Sequence, residues 1–225
     1  GVTNNIKDIN EFHCDINKKI KDEGYYIFVT ELLEERIIRN RKKAPVGFKN
    51  IFLLIDFLYK RVIPKFPILG FIHKSITNGH NKVLSKAETL GRSMCCGFSI
   101  INTFEHENLF YTITKKVGQP ASARNSTYSI ICKLKRIGYK GECFYLYKIR
   151  TMHPYSEYLQ DYMYSLSMID KDGDKIKDDF RITTWGKFLR KFWIDEIPQF
   201  FNIIKGDINL VGIRSLSHAK YKMFS

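Results

Sequence analysis

The stretch Asp179-Phe-Arg-Ile-Thr-Thr-Trp-Gly-Lys-Phe-Leu-Arg-Lys-Phe-Trp-Ile-Asp-Glu-Ile-Pro-Gln-Phe-Phe-Asn-Ile-Ile-Lys-Gly-Asp-Ile-Asn-Leu-Val-Gly-Ile-Arg214 reads as two short helices meeting at a carboxylate pair. In the first, Trp185, Phe188, Leu189, Phe192 and Trp193 recur at i, i+3, i+4, i+7 and i+8, which is one apolar helical face, and Thr183 or Thr184 is available as N-cap. Lys187, Arg190 and Lys191 fall off that face. The second helix is expected to start at Asp195, keep Pro198 in its first turn, bury Ile197, Phe200, Phe201 and Ile204, and stop at Gly206. Asp195 and Glu196 then sit at a helix N-terminus, where unpaired N–H groups and the helix dipole favour an ionised carboxylate. A carboxylate held there serves as a nucleophile or a metal ligand. On spacing alone the pair is first of all ordinary helix capping, since Asp is among the commonest cap residues.

Working outward, Ile130 to Ile137 and Cys143 to Thr151 flank the turn Gly138-Tyr-Lys-Gly141, a hairpin signal. Along the outgoing strand the period of two puts Lys148 and Arg150 on one face, with Tyr147 and Ile149 on the other. Two cations about 7 Å apart suit a diphosphate, with Arg supplying a bidentate fork; a solvated strand face is the alternative. Residues 155 to 166 form a helix with Tyr155, Tyr158, Leu159, Tyr162, Met163 and Leu166 on one side, a packing face. His153, beside a Pro, is given no role. The acidic run Asp170 to Asp179 fails as a calcium loop, because a loop starting at Asp170 would carry Lys175 and Arg181 where Gly and Glu are needed. It reads as an exposed loop.

Together these runs resemble the bacterial sugar transferases, the monotopic phosphoglycosyl transferases that start glycan assembly on a polyprenyl phosphate carrier. The elements that carry the resemblance are Arg136-Ile-Gly, Gly141, Phe144, Tyr147-Lys-Ile-Arg-Thr-Met152, Asp179-Phe-Arg-Ile-Thr183, Gly186-Lys-Phe-Leu-Arg190, Ile194-Asp-Glu-Ile-Pro-Gln199, Asn202, Gly206-Asp207 and Val211-Gly-Ile-Arg214. It implies transfer of a sugar 1-phosphate from a nucleotide diphosphate sugar, such as a UDP-sugar, to polyprenyl phosphate. In that scheme Asp195 is the nucleophile and a magnesium ligand, and Glu196 assists at the metal or in proton handling. Lys148, Arg150, Arg190, Arg214 and Arg136 bind the substrates. The resemblance further implies a membrane-surface partner and a place on the cytoplasmic face of the bacterial inner membrane. The family's Gly-Pro-Arg-Pro stands here as Gly212-Ile-Arg214-Ser, and the loss of both prolines removes the restraint on the turn that holds the Arg.

The rest of the chain sets the frame. Its 225 residues allow one large domain or two small ones, and 44% hydrophobic content is ample for a core. A formal charge of +14 points to an anionic partner: nucleic acid, an anionic membrane surface or phosphorylated substrates. A nucleic-acid-binding module is the first competitor, but no recognition helix, zinc pattern or RNP-like strand is present, and no nucleic acid is expected. Five cysteines, an odd number without Cys-x-x-Cys spacing, support neither a disulfide framework nor a zinc site, which suits a reduced, cytosol-facing compartment. The absence of an initial Met and the end of the chain soon after the motif suggest a fragment of a longer protein.

The fold class expected is α/β: a partial Rossmann-like region over 1 to 117, a linker over 118 to 128, and a small α+β transferase domain with membrane-associated helices over 129 to 225. In the first part, helical spacing over 6 to 20, a strand at Tyr25 to Val29, a charged segment from Glu31 to Lys43, a helix over 82 to 96 and a hairpin at Phe98 to Asn102 and Leu109 to Thr114 are similar to the C-terminal half of a class I methyltransferase. The Gly-rich cofactor loop of that family is missing, so no cofactor site follows, though a methyltransferase-related protein is the second competitor. Residues 51 to 72 are the most apolar window, but Asp56, Lys60, Arg61 and Lys65 interrupt it and it is no membrane span. It is either a bent interfacial element broken at Pro64 and Pro67 or a core helix with a Pro-rich exit.

Overall fold

In the computed structural model, residues 2–45, 47–63, 75–77, 82–121, 129–166, 178–212 and 215 are described. They form two compact units, one of residues 1–126 with 154–181, the other of 127–153 with 182–225.

The first unit is built on a three-stranded sheet. Helix α1 (Ile9–Lys19) is capped by the Asp8 carboxylate, which accepts from the Glu11 N–H, and leads into β1 (Tyr25–Thr30). Helix α2 (Leu33–Lys43) and helix α3 (Lys49–Phe57) follow, then α4 (Lys86–Cys95), capped by Ser85 and terminated at Gly97. Strands β2 (Phe98–His106) and β3 (Leu109–Lys116) form a hairpin whose two turn residues, Glu107 and Asn108, both have positive φ, as a two-residue turn matched to strand twist requires. The sheet order is β1-β3-β2 and both ladders are antiparallel, so the class is α/β in content without the parallel ladders of a Rossmann half. Leu32, Ala87, Leu90, Ile100, Phe110, Leu159 and Met163 make its core.

Two of those core residues come from 154–181, which the sequence-based division assigned to the second domain. The segment carries a 3-10 turn (Ser156–Leu159) running into α5 (Gln160–Ser165). Asn10 donates to the Tyr155 hydroxyl at 2.6 Å, and the Arg92 guanidinium lies 4.5 Å from the Tyr155 ring centroid. Asp179 and Arg181 form a buried ion pair at 2.8 Å, and Arg181 also donates to Gln160. Long-range packing thus acts alongside chain order: the units part first at 126/127, inside the 118–128 segment, of which residues 122–128 lie outside the described residues, and the chain then returns to the first unit at 154 and leaves it again after 181.

The apolar window fares differently along its length. Among the described residues α3 buries none of its own, and it continues as a wider π turn over Leu58–Val62. Asp56, one of the charges that interrupt the window, is held by Arg36 of α2 through two hydrogen bonds, at 3.1 and 2.8 Å. The expected break at Pro64 and Pro67 lies outside the described residues, as do residues 170–177 of the acidic run. No helix among the described residues is long and apolar enough to cross a membrane. All five cysteines are free thiols.

His13 on α1 is packed against Phe28 and Tyr26, and burial, reinforced by the nearby Arg92 charge, pushes its pKa down from 6.5 to about 3. Between those two values the unfolded chain binds a proton that the folded unit does not, so stability is retained above pH 6.5 and falls as pH drops toward 3, by up to about 1.4 kcal/mol per pH unit. The expected outcome is accelerated hydrogen exchange in β3 peptides between pH 6 and pH 4 after correction for intrinsic rates, with a shallower slope in His13→Gln.

Candidate active site

The second unit pairs β4 (Ile131–Ile137) with β5 (Cys143–Ile149) as an antiparallel hairpin. Helix α6 (Thr184–Lys191) follows, then a 3-10 turn (Ile194–Gln199) and α7 (Phe200–Ile204). Cross-strand partners share a face, so Cys132 with Lys148, Leu134 with Leu146, and Arg136 with Phe144 lie on one side of the hairpin. Leu146 is buried there, and β5 packs against the 194–199 turn.

The contact between strand and turn is ionic. The Lys148 ammonium lies 2.5 Å from Glu196 Oε1 and 4.0 Å from Asp195 Oδ2. Asp195 is 7% exposed and Lys148 is largely covered, so the charges meet with little water between them. The turn departs from the expected cap. Trp193, not Asp195, is the N-cap, with φ 59° in the left-handed region, and Asp195 is the second residue of the turn. A non-glycine residue there costs about 1 kcal/mol, which the contacts on either side offset. The reversal brings Asp195 and Glu196 back toward β5.

Helix α6 is tied to the strand end by its first turn and its last. The Thr183 side chain caps Gly186 N–H at 2.8 Å, and the Thr183 N–H donates to Thr151 O at 2.9 Å. Arg190 Nε donates to Thr151 Oγ1 at 2.9 Å. Arg150, one residue beyond β5, donates from Nε to Ser129 O at 2.9 Å. The structure therefore brings Lys148, Asp195 and Glu196 together and fixes Arg190 at the strand end that carries Arg150. Arg136 shares the face of Lys148, but four residues along the hairpin, about 13 Å away at the strand rise. Arg214 lies outside the described residues.

Asn202 was absent from the expected site. It is fully buried, and its amide bonds both Tyr145 O and Tyr147 N–H of β5. The signal available was the Asn202-x-x-x-Gly-Asp207 spacing, since Gly206 takes φ 77° and turns Asp207 back toward Asn202. A cavity of about 320 Å³ opens beside Glu196, lined by Leu146, Trp193, Gln199, Asn209 and Leu210 among others.

The apolar faces point the other way from expectation. Ile197, Phe200, Phe201 and Ile204, expected in a core, are exposed, Ile204 to 68%, and the aromatic face of α6 is exposed as well, Trp185 to 70%. The residues turned inward are Asp195, Pro198 and Asn202. A two-stranded hairpin offers too little surface to cover two amphipathic helices.

Residues 116–225 match the family model described as bacterial sugar transferase. Among curated relatives, a galactosyl transferase, CpsE, of Streptococcus agalactiae is 39% identical over 90 residues, which is 40% of this chain and 20% of that protein. An undecaprenyl-phosphate galactose phosphotransferase of Salmonella typhimurium is 41% identical over 86 residues, 36% of this chain and 18% of the relative. A UDP-N-acetylgalactosamine-undecaprenyl-phosphate N-acetylgalactosaminephosphotransferase of Aeromonas hydrophila is 40% identical over 79 residues, 35% and 16% of the two chains. The matched part of this chain thus spans a fifth or less of these relatives' length.

Proposed function

We propose, from the premise that this chain belongs through residues 116–225 to the bacterial sugar transferase family, that it moves a sugar 1-phosphate from a UDP-sugar to polyprenyl phosphate and releases UMP. The observation that carries the proposal is the covered Asp195 carboxylate beside Lys148 and Glu196 on the face of β5. A nucleophilic carboxylate, a neighbouring acid and a fixed cation are what transfer between two anions needs, because the cation offsets the repulsion between carboxylate and diphosphate.

Two steps account for the chemistry. An Asp195 oxygen attacks the sugar-bearing phosphorus, an O–P bond forms, and the bond to the bridging oxygen breaks as UMP leaves with that oxygen. An oxygen of polyprenyl phosphate then attacks the same phosphorus and expels the Asp195 carboxylate. Lys148, Arg150 and Arg190 hold phosphate oxygens, and Glu196, paired with Lys148, handles protons. Among the described residues no group of three or more His, Cys, Asp or Glu could hold a metal ion. Magnesium ordinarily takes only one or two carboxylates and completes its shell with water and substrate phosphates, so Asp195 with Glu196 fits it. When bound with the donor, the ion neutralises diphosphate charge.

The exposed Trp185, Phe188, Phe192, Phe200 and Phe201, with Lys187 and Lys191 beside them, support a membrane surface as the place of reaction, at the cytoplasmic face of the inner membrane. The first unit we read as a Rossmann-like fragment: β1 and β2 run in the same direction on either side of the antiparallel β3, and sheets that mix strand directions are common in α/β folds.

The test incubates the full chain in nanodiscs with a UDP-sugar and magnesium and follows UMP. One equivalent is expected as a burst without acceptor, and turnover only after undecaprenyl phosphate is added. Absence of UMP release across UDP-sugars would sink the proposal.

A further inference from the structure

We infer that Asn202, held in turn by Asp207, is a positioning residue that fixes β5 against the 194–199 turn and so sets Lys148 relative to Asp195 and Glu196. Its bearing on transfer rests on the function proposed above; its bearing on geometry does not.

In an antiparallel ladder the backbone groups of alternate residues point to opposite edges. On β5 the even-numbered residues face β4, and the register continues past the strand end as Arg150 N–H donates to Ile130 O at 2.7 Å. The groups of Tyr145 and Tyr147 face the other edge, where the two-stranded sheet has no further strand among the described residues. Asn202 fills that edge. Tyr147 N–H donates to Asn202 Oδ1 at 3.0 Å, and Asn202 Nδ2 donates to Tyr145 O at 2.7 Å. A primary amide carries the donor and acceptor of a peptide unit, so one side chain supplies one rung of a third strand.

The amide is itself locked. Its Nδ2 also donates to Asp207 Oδ2 at 2.8 Å, and Asp207 N–H returns to Asn202 O at 2.9 Å. A carboxylate only accepts, so Asp207 dictates which end of the amide carries nitrogen. Lys148 is the residue after Tyr147, and Asn202 stands three residues after the turn that carries both carboxylates. These bonds therefore join the cation's strand to the carboxylates' segment. A lone hairpin is marginal in water, and a slip by one residue would carry Lys148 to the opposite face.

The experiment uses the full chain with Asn202→Ala, Asn202→Asp and, as a labelling control on the outward face, Lys135→Ala. Asn202→Asp keeps the shape and an acceptor for Tyr147 N–H, but cannot donate to Tyr145 O and faces the Asp207 carboxylate. Lys148 acylation by an N-hydroxysuccinimide ester is followed by peptide mass spectrometry on protein with folded tryptophan emission. Labelling about fivefold faster than wild type is expected in both Asn202 variants and unchanged in Lys135→Ala. In the UMP assay, kcat falls about tenfold or more while the donor KM stays within about threefold. Where Asn202→Ala does not fold, the isosteric Asn202→Asp decides. Unchanged Lys148 labelling overturns the inference, as does a kcat that is unchanged or lost only in proportion to unfolded protein. If wild type releases no UMP, the proposed function falls and labelling alone decides the positioning.

Discussion

Asp195→Asn stops UMP release, both in the burst without acceptor and in turnover, by on the order of 1,000-fold or more. The substitution keeps the side chain's shape inside a covered turn but removes the lone-pair charge that attacks phosphorus, and an amide oxygen is no substitute as a nucleophile. Folding is expected to survive, because Lys148 keeps its nearer partner: Glu196 lies at 2.5 Å and Asp195 at 4.0 Å, so the ammonium is not left buried and unpaired. Glu196→Gln has the opposite profile. It removes the closer partner of Lys148 and a proton-handling group, an effect of about 100- to 10,000-fold, but leaves the nucleophile, so a slow burst of one UMP equivalent persists. Rapid-quench measurement of UMP without acceptor separates the two variants. A full burst in Asp195→Asn would remove Asp195 as nucleophile.

What could be read from residue order depended on whether the cause was local. Alternation along β5 placed Lys148 on the face that meets the carboxylates, and Gly206 ended α7 with its positive φ, because strand pleat and left-handed caps are properties of a few consecutive residues. Periodicity also found the apolar faces of α6 and α7, but a period states that a face is apolar and not what covers it. Phe200, Phe201 and Ile204 have the spacing of core residues and are exposed.

Three features had non-local causes. Segment 154–181 packs in the first unit through Tyr155, Leu159 and Met163, a matter of partners over a hundred residues distant in the case of Asn10. Trp193 takes a left-handed conformation that its residue type disfavours, so propensity pointed to Asp195 as the cap. Asn202 looks like a polar interruption between Phe201 and Ile203 until the open edge of β5 is known. Its amide then accounts for the Asn-x-x-x-Gly-Asp spacing, with Asn202 as the rung, Gly206 as the reversal and Asp207 as the anchor.

Gly186→Ala unfolds the second unit preferentially. In an exposed helix this change would stabilise by about 1 kcal/mol, since Ala is the better helix former. Here a Cβ on residue 186 would lie 2.1 Å from Thr151 O, 2.8 Å from Thr151 C and 2.9 Å from Thr151 Cα. Those are backbone atoms and cannot rotate away, so α6 must lift from the strand end. Lifting it strains three hydrogen bonds on Thr151: to its carbonyl from Thr183 N–H at 2.9 Å and Thr183 Oγ1 at 3.2 Å, and to its Oγ1 from Arg190 at 2.9 Å. Overpacking costs about 1–3 kcal/mol and each bond lost about 0.5–1.5 kcal/mol, so the helix-propensity gain is outweighed and the net loss is about 2–4 kcal/mol. Residues 143–151 and 184–191 lie in this unit, so urea unfolding followed by hydrogen exchange of their peptides reads its stability separately from the first unit. Gly212→Ala, where a Cβ meets nothing within 4 Å, is expected to shift the same midpoint by no more than the equivalent of about 0.5 kcal/mol. A Gly186→Ala midpoint at or above wild type would mean that α6 does not rest on Thr151, and with it would go the placement of Arg190 at the strand end.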